Sequence, residues 1–167
     1  MGQAFENLID YTNRIYQNKG MALINKRPTP VKVLRTRGNH IFNAVYDKKS
    51  TVDYDGFYKG YGIAFEAKST KLTRLPLDMI AEHQIKYLEA AKDHGAITFL
   101  IANMRDINKT FVLPSELIFE YVDNAQQGGR KSLPMDDIKK RGIEVSSGNG
   151  VPLDYLEAVE KLIKKER

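Results

Sequence analysis

The stretch AITFLIAN, residues 96–103, constrains this chain more than any other. It is an almost unbroken apolar run, far below the roughly 20 residues that cross a bilayer. That pattern predicts a central strand buried on both faces rather than one with a wet side. A strand covered twice needs helices above and below it. The expected architecture is therefore an α/β or α+β sandwich built on one mixed sheet.

The flanking periodicities supply the covering layers. Phe5, Leu8, Ile9, Thr12, Ile15 and Tyr16 recur at three- and four-residue steps, predicting an amphipathic helix over 3–18 that stops at Gly20. LPLDMIAEHQIKYLEAAKDHG opens on Pro76 and closes on Gly95, framing a second helix over 78–93. PSELIFEYVDNA and PLDYLEAVEKLIKK each start with proline and carry helical spacing. MALIN (21–25) and VKVLRTR (31–37) read as strand pieces separated by KRPTP, whose prolines cannot donate to a ladder. The turn signal Gly38-Asn39 and the extended run HIFNAVY (40–46) make residues 31–46 a basic two-stranded projection. TVDYDGFYKG and GIAFEAKS form a hairpin through a Lys-Gly-Tyr-Gly connection, NKTFVL (108–113) pairs beside the buried strand, and GGRKS (128–132) is a basic loop. With no internal repeat and no long linker, the 167 residues are expected to form a single domain.

Composition removes several kinds of chemistry. Without cysteine there is no disulfide, thiolate metal site or cysteine nucleophile, and the three histidines (His40, His83, His94) form no ligand pair. The N-terminus lacks the apolar centre of a signal peptide and the Ser or Thr of a myristoylation signal, so a cytoplasmic protein without membrane attachment is expected. The formal net charge of +5 is concentrated. Between Lys19 and Lys49 eight basic residues (Lys19, Lys26, Arg27, Lys32, Arg35, Arg37, Lys48, Lys49) face one acid, Asp47, a local charge of +7. Such a segment suits a polyanion such as nucleic acid. A solvated lysine-rich face explains the charge alone equally well.

The hairpin raises the sharper question. In extended chain Glu66 and Lys68 share one face, and Asp53 and Asp55 also share one. The turn brings the two carboxylate rows together, where like charges resist ionising side by side. Lys68 offsets one of them. A divalent cation would offset the rest, and oxygen-only donors favour Mg²⁺ or Mn²⁺. The competing explanation is a charged, solvent-facing sheet edge that guards against edge-to-edge pairing. The apolar Ile63, Ala64 and Phe65 put this strand inside the sheet and favour the cation.

An Asp followed about a dozen residues later by Glu-x-Lys resembles the PD-(D/E)XK nuclease superfamily. NKRPTPV, STVDYDGFYKG, FEAKST, LPL followed by EHQI, and GRKS, in that order, resemble the RecU family of Holliday junction resolvases from about residue 2 to residue 160. The resemblance implies a restriction-endonuclease-like core, with a central mixed sheet flanked by helices and a basic hairpin stalk at about 31–46. It assigns Asp53 and Glu66 as metal-binding carboxylates, Thr51 and Gln84 as further metal-site positions, and Lys68 as the residue that orients the attacking water or stabilises transition-state charge. Glu6 on the first helix resembles an acidic position near the site. Lys32, Arg35, Arg37, Tyr46, Lys71, Arg130 and Lys131 are the expected DNA-binding residues. Tyr46 and Phe42 suit stacking on exposed bases and suit an ordinary strand surface equally well.

The expected activity is Mg²⁺- or Mn²⁺-dependent endonucleolytic resolution of four-way DNA junctions in recombination and repair, by paired symmetric nicks from a homodimer. Host recombination proteins are further expected partners. Two alternatives remain open: a nuclease-fold DNA-binding mediator that does not cut, and a nuclease of the same superfamily acting on other DNA structures. The chain departs from the family in its short N-terminal arm and trimmed tail, which suits a phage-encoded member and bears on junction affinity.

Overall fold

The structure, a computed structural model, describes residues 2–47 and 51–165; Lys48 and Lys49 of the basic segment lie outside the described residues. Helix α1 spans Gln3–Asn18. It ends where Gly20 takes a φ of 65°, and Met21 N–H closes the last turn on the Tyr16 carbonyl. That closure uses up Met21, so strand β1 runs Leu23–Lys26 rather than starting at 21. β2 (Val31–Arg37) and β3 (His40–Tyr46) follow, then β4 (Tyr54–Tyr58) and β5 (Tyr61–Thr70). Tyr58 pairs with Tyr61, so the β4–β5 connection is the two residues Lys59 and Gly60, both at positive φ. This is tighter than the four-residue connection expected. A two-residue turn of that kind matches the twist of the strands it joins.

Strand β6 (Arg74–Pro76) leads through a 3-10 turn at Leu77–Met79 to α2 (Glu82–Asp93), which starts four residues later than the Pro76 signal suggested. The delay has a physical cause: Leu77 N–H is committed to the Lys131 carbonyl, and Ala81 is extended. β7 (Ile97–Met104), β8 (Lys109–Pro114), α3 (Ser115–Gln126), β9 (Ser132–Pro134), α4 (Met135–Arg141), β10 (Ile143–Val145) and α5 (Tyr155–Lys165) complete the order.

Six strands form one mixed sheet in the order β1-β4-β5-β7-β8-β10, with β5 and β7 parallel and the other pairs antiparallel. The run at 96–103 lies near its centre. Phe99 and Ile101 enter the layer beneath α1 and α5, while Leu100, Ala102 and Met104 enter the layer beneath α2, α3 and α4. In the first layer Phe65 stacks between Tyr54 (4.9 Å between ring centroids) and Phe99 (4.8 Å). The expected mixed sheet with helices on both faces is present. Among the described residues no helix is long and apolar enough to cross a membrane.

Strands β2 and β3 pair only with each other, from Val31 opposite Tyr46 to Arg37 opposite His40, with a bulge between Val33 and Thr36. Every residue of both strands is exposed, so they stand off the core as a projection, tied at the foot by Asp47 N–H to the Pro30 carbonyl. A second small ribbon pairs β6 with β9, and the basic loop expected over 128–132 runs into it.

Candidate metal and DNA-binding site

Asp53 lies on the bend just before β4, and Glu66 stands opposite it on β5. The backbone ties the two carboxylates together. Asp53 N–H donates to Glu66 Oε2 at 3.0 Å, and Ala67 N–H donates to Asp53 Oδ2 at 3.0 Å. Glu66 Oε1 accepts from Lys68 Nζ at 2.8 Å and from the Gln84 amide. Gln84, at the start of α2, is itself oriented by Ala81 N–H, which donates to Gln84 Oε1 at 2.9 Å. Four of the expected site residues therefore form one hydrogen-bonded group drawn from three elements.

Thr51 is the fifth, and its state is informative. Its Oγ1 is buried without a hydrogen-bond partner. A buried hydroxyl left unsatisfied costs on the order of 1–3 kcal/mol, so the position suits a group that is still to be bound. The donor set that the resemblance implies, two carboxylates, the Gln84 amide oxygen and this hydroxyl, would fit a hard divalent cation. Among the described residues no three His, Cys, Asp or Glu side chains gather as a metal site. A cation here would complete its shell with neutral oxygens.

Electrostatics follow from burial. Glu66 is only 1% exposed, and its pKa is pushed up from 4.5 to about 7. Burial is the main cause, the Asp53 carboxylate adds to it, and Lys68 opposes it. A charge held this far from water awaits a positive partner stronger than one lysine.

The remaining carboxylates fall elsewhere. Asp55 shares the sheet face of Asp53, but it is paired with Arg27, whose Nε donates to Asp55 Oδ2 at 2.8 Å and whose guanidinium reaches the Tyr87 hydroxyl at 3.2 Å. Glu6 pairs with Lys26 at 2.9 Å, and Asp10 holds the same ammonium at 3.1 Å. The structure does not join Glu6 to Asp53 or Glu66; it places it in a group with Lys26, Asp10 and Tyr54, whose hydroxyl donates to Asp10 at 2.7 Å. Burial, reinforced by Asp10, pushes the Tyr54 hydroxyl upward and keeps it a neutral donor. Lys26 and Arg27 were marked in the sequence by NKRPTPV and by the basic segment between Lys19 and Lys49. Their acidic partners lie 16 to 28 residues away.

The expected DNA contacts divide into two groups. Lys32, Arg35, Arg37 and Tyr46 stand on the β2–β3 projection, with the Arg35 guanidinium 5.9 Å from the Phe42 ring centre and Tyr46 81% exposed. Lys71, Arg130 and Lys131 gather around the β6–β9 ribbon and are exposed.

Known proteins resemble this chain along most of its length. A model of the family "RecU: Recombination protein U" matches residues 1–161. A Holliday junction resolvase RecU from Streptococcus thermophilus is 37% identical over 171 aligned residues, covering 97% of this chain and 84% of that protein. One from Geobacillus sp. is 35% identical over 167 residues, covering 96% and 83%. Among solved structures, the Holliday junction resolvase Hjc of Archaeoglobus fulgidus aligns over 81% of this chain and 94% of its own, with a TM-score of 0.46 and 12% identity.

Proposed function

The chain belongs to the RecU family, and from that premise we propose that it is a Holliday junction resolvase, an endodeoxyribonuclease that acts on branched DNA. The observation that carries this reading is the hydrogen bond from Asp53 N–H to the Glu66 carboxylate, with Lys68 bonded to the same carboxylate. Asp53 and Glu66, with neutral oxygens from Thr51 and Gln84, would hold Mg²⁺ or Mn²⁺. Bound there, the ion would supply Lewis acidity at the phosphate and lower the pKa of water.

The chain's own residues do the positioning. Lys68 is held 2.8 Å from Glu66 and only 14% exposed, so its ammonium is a fixed positive charge. It would stabilise charge that develops on the scissile phosphate, an electrostatic role with no covalent step. Gln84 connects the start of α2 to Glu66 and sets the distance between helix and catalytic strand. The projection would reach the branch point, contacting phosphates through Lys32, Arg35 and Arg37 without reading base sequence. A junction has two-fold symmetry, so two sites related by a dimer axis would make the paired symmetric nicks. The same reading puts the protein in the cytoplasm.

The test is Mg²⁺- or Mn²⁺-dependent cleavage of a mobile four-way junction beside matched duplex and flap DNA, with wild type and Asp53→Asn. Paired nicks confined to the junction and lost in the variant support the reading. Tight junction binding without cutting would make the protein a non-cleaving mediator. Equal cutting of every substrate would leave a nuclease and remove the resolvase.

A further inference from the structure

The β6–β9 ribbon carries a group of cations that the fold brings together and leaves unpaired. Lys71 and Arg74 come from the segment after the catalytic strand, and Arg130 and Lys131 from the loop before β9; all four are exposed. None of them meets a carboxylate among the described residues. Other basic residues on the core surface do: Lys59 pairs with Glu160, Lys109 with Glu144 and Arg141 with Glu120. Scattered cations such as Arg14, Lys139 and Lys140 also lack an ion pair among the described residues, so what sets these four apart is that one ribbon gathers them close behind Lys68.

The ribbon is also a rigid mount. Leu75 pairs with Leu133, both side chains are fully buried, and Arg74 stands opposite Pro134. Leu77 N–H donates to the Lys131 carbonyl at 3.1 Å, which locks the basic loop to the start of the 3-10 turn. Chain length places this mount beside the chemistry. Lys71 follows β5 directly and lies three residues past Lys68, no more than about 10 Å of extended chain. Phosphates of one DNA strand advance about 3.4 Å along the helix axis, so the ribbon falls within a few nucleotides of a phosphate held at Lys68.

A hollow of about 760 Å³ behind the ribbon, between α2 and α3, is lined by Arg74 and Lys131 but also by Asp78, Glu89 and Asp123. That mixture excludes the hollow itself as an anion pocket. Lys71 and Arg130 do not line it, so what the four cations share is the ribbon and its flanks and not the hollow.

We propose that the β6–β9 ribbon is a clamp on the sugar-phosphate backbone of the duplex arm that carries the scissile phosphate, with Arg74 and Lys131 at its two ends. It is a contact separate from the projection, and it rests on the reading of the protein as a branched-DNA nuclease. The projection meets the branch point; the ribbon meets ordinary duplex beside it. Arg74 has no counterpart among the expected DNA-binding residues, because only the pairing of β6 with β9 puts it on one ribbon with Lys131, which lies at the other end beside Leu77.

The double variant Arg74→Ala/Lys131→Ala tests this by affinity against salt concentration, on a four-way junction and on linear duplex. Each lost phosphate contact lowers the slope of log affinity against log salt by about 0.9, so the slope falls by about 1.8 per protomer engaged. Between 50 and 200 mM salt the wild type then loses about twelvefold more affinity than the variant. Arg74→Lys/Lys131→Arg keeps the charge and the wild-type slope, and a thermal melt shows that the alanine variant is folded. Equal slope loss on both DNAs supports the clamp. An unchanged slope overturns it, and a loss confined to the junction overturns its assignment to the arm. If wild type makes no paired nicks while the slope loss on duplex persists, the clamp stands and the resolvase reading falls.

Discussion

Glu66→Gln in protein free of divalent ions should make the chain more stable at neutral and alkaline pH, and the amount can be worked from its surroundings. Glu66 is 1% exposed, and its pKa is raised from 4.5 to about 7, chiefly by burial. A carboxyl whose folded-state pKa lies above its unfolded value contributes stability that is complete below pH 4.5 and lost as pH rises through about 7. At about 1.4 kcal/mol for each pH unit of separation, the loss is roughly 3 kcal/mol. Glutamine keeps the shape and one of the two acceptor oxygens but does not ionise, and the lost acceptor costs the same at every pH, so it does not alter the pH dependence. The difference in unfolding free energy between variant and wild type should therefore climb by about 3 kcal/mol between pH 4 and pH 8.5. At a urea slope of about 2 kcal/mol per molar, that separates the unfolding midpoints by about 1.5 M. Titrations elsewhere in the chain affect both proteins and cancel in the difference. Adding Mg²⁺ at about one hundred times its dissociation constant should return about 2.7 kcal/mol to wild type and little to the variant. Unfolding curves whose separation stays constant from pH 4 to pH 8.5 would refute the argument, because burial would then not be opposing the charge on Glu66.

Asp53→Asn should reduce junction cleavage to background, whereas Asp55→Asn should stay within about tenfold of wild type; Asp55 is engaged by Arg27 in a partly exposed ion pair worth about 1 kcal/mol or less. Equal losses in single-turnover assays would assign Asp55 to the metal. Gly56→Ala should destabilise the chain by about 1–3 kcal/mol in urea unfolding, because an added Cβ would sit 2.0 Å from the Leu23 carbonyl and force β1 off β4. An unchanged midpoint would show that β1 can move freely. Tyr46→Ala should leave the thermal midpoint unmoved, since the ring is 81% exposed, while weakening junction binding by about 1–3 kcal/mol if a base stacks on it. Unaltered affinity would make Tyr46 a strand-surface residue only.

Much of the fold was legible because its signals are local. A residue inside AITFLIAN cannot face water on either side, so the buried strand and its two covering layers followed from eight consecutive residues. Alternation over Asp53, Glu66 and Lys68 put these charges on one face of a hairpin, which is where they lie. The elements that were missed, β6, β9, α4 and β10, are three to seven residues long. Segments that short complete too few periods to stand out, and they hold their shape through partners far away in sequence.

The candidate site divides along the same line. Residue types and their spacing along the chain determined that two carboxylates and a lysine would meet on adjacent strands, because the period of an extended chain is a property of the backbone alone. Tertiary structure decided which charges remain available. It paired Asp55 with Arg27 and Glu6 with Lys26, buried Glu66 until its pKa rose, left the Thr51 hydroxyl without a partner, and brought Arg74 and Lys131 onto the two ends of one ribbon. Each of these depends on which distant segment occupies the space beside a group. A carboxylate's character is set by what neutralises and desolvates it, and those neighbours are chosen by packing.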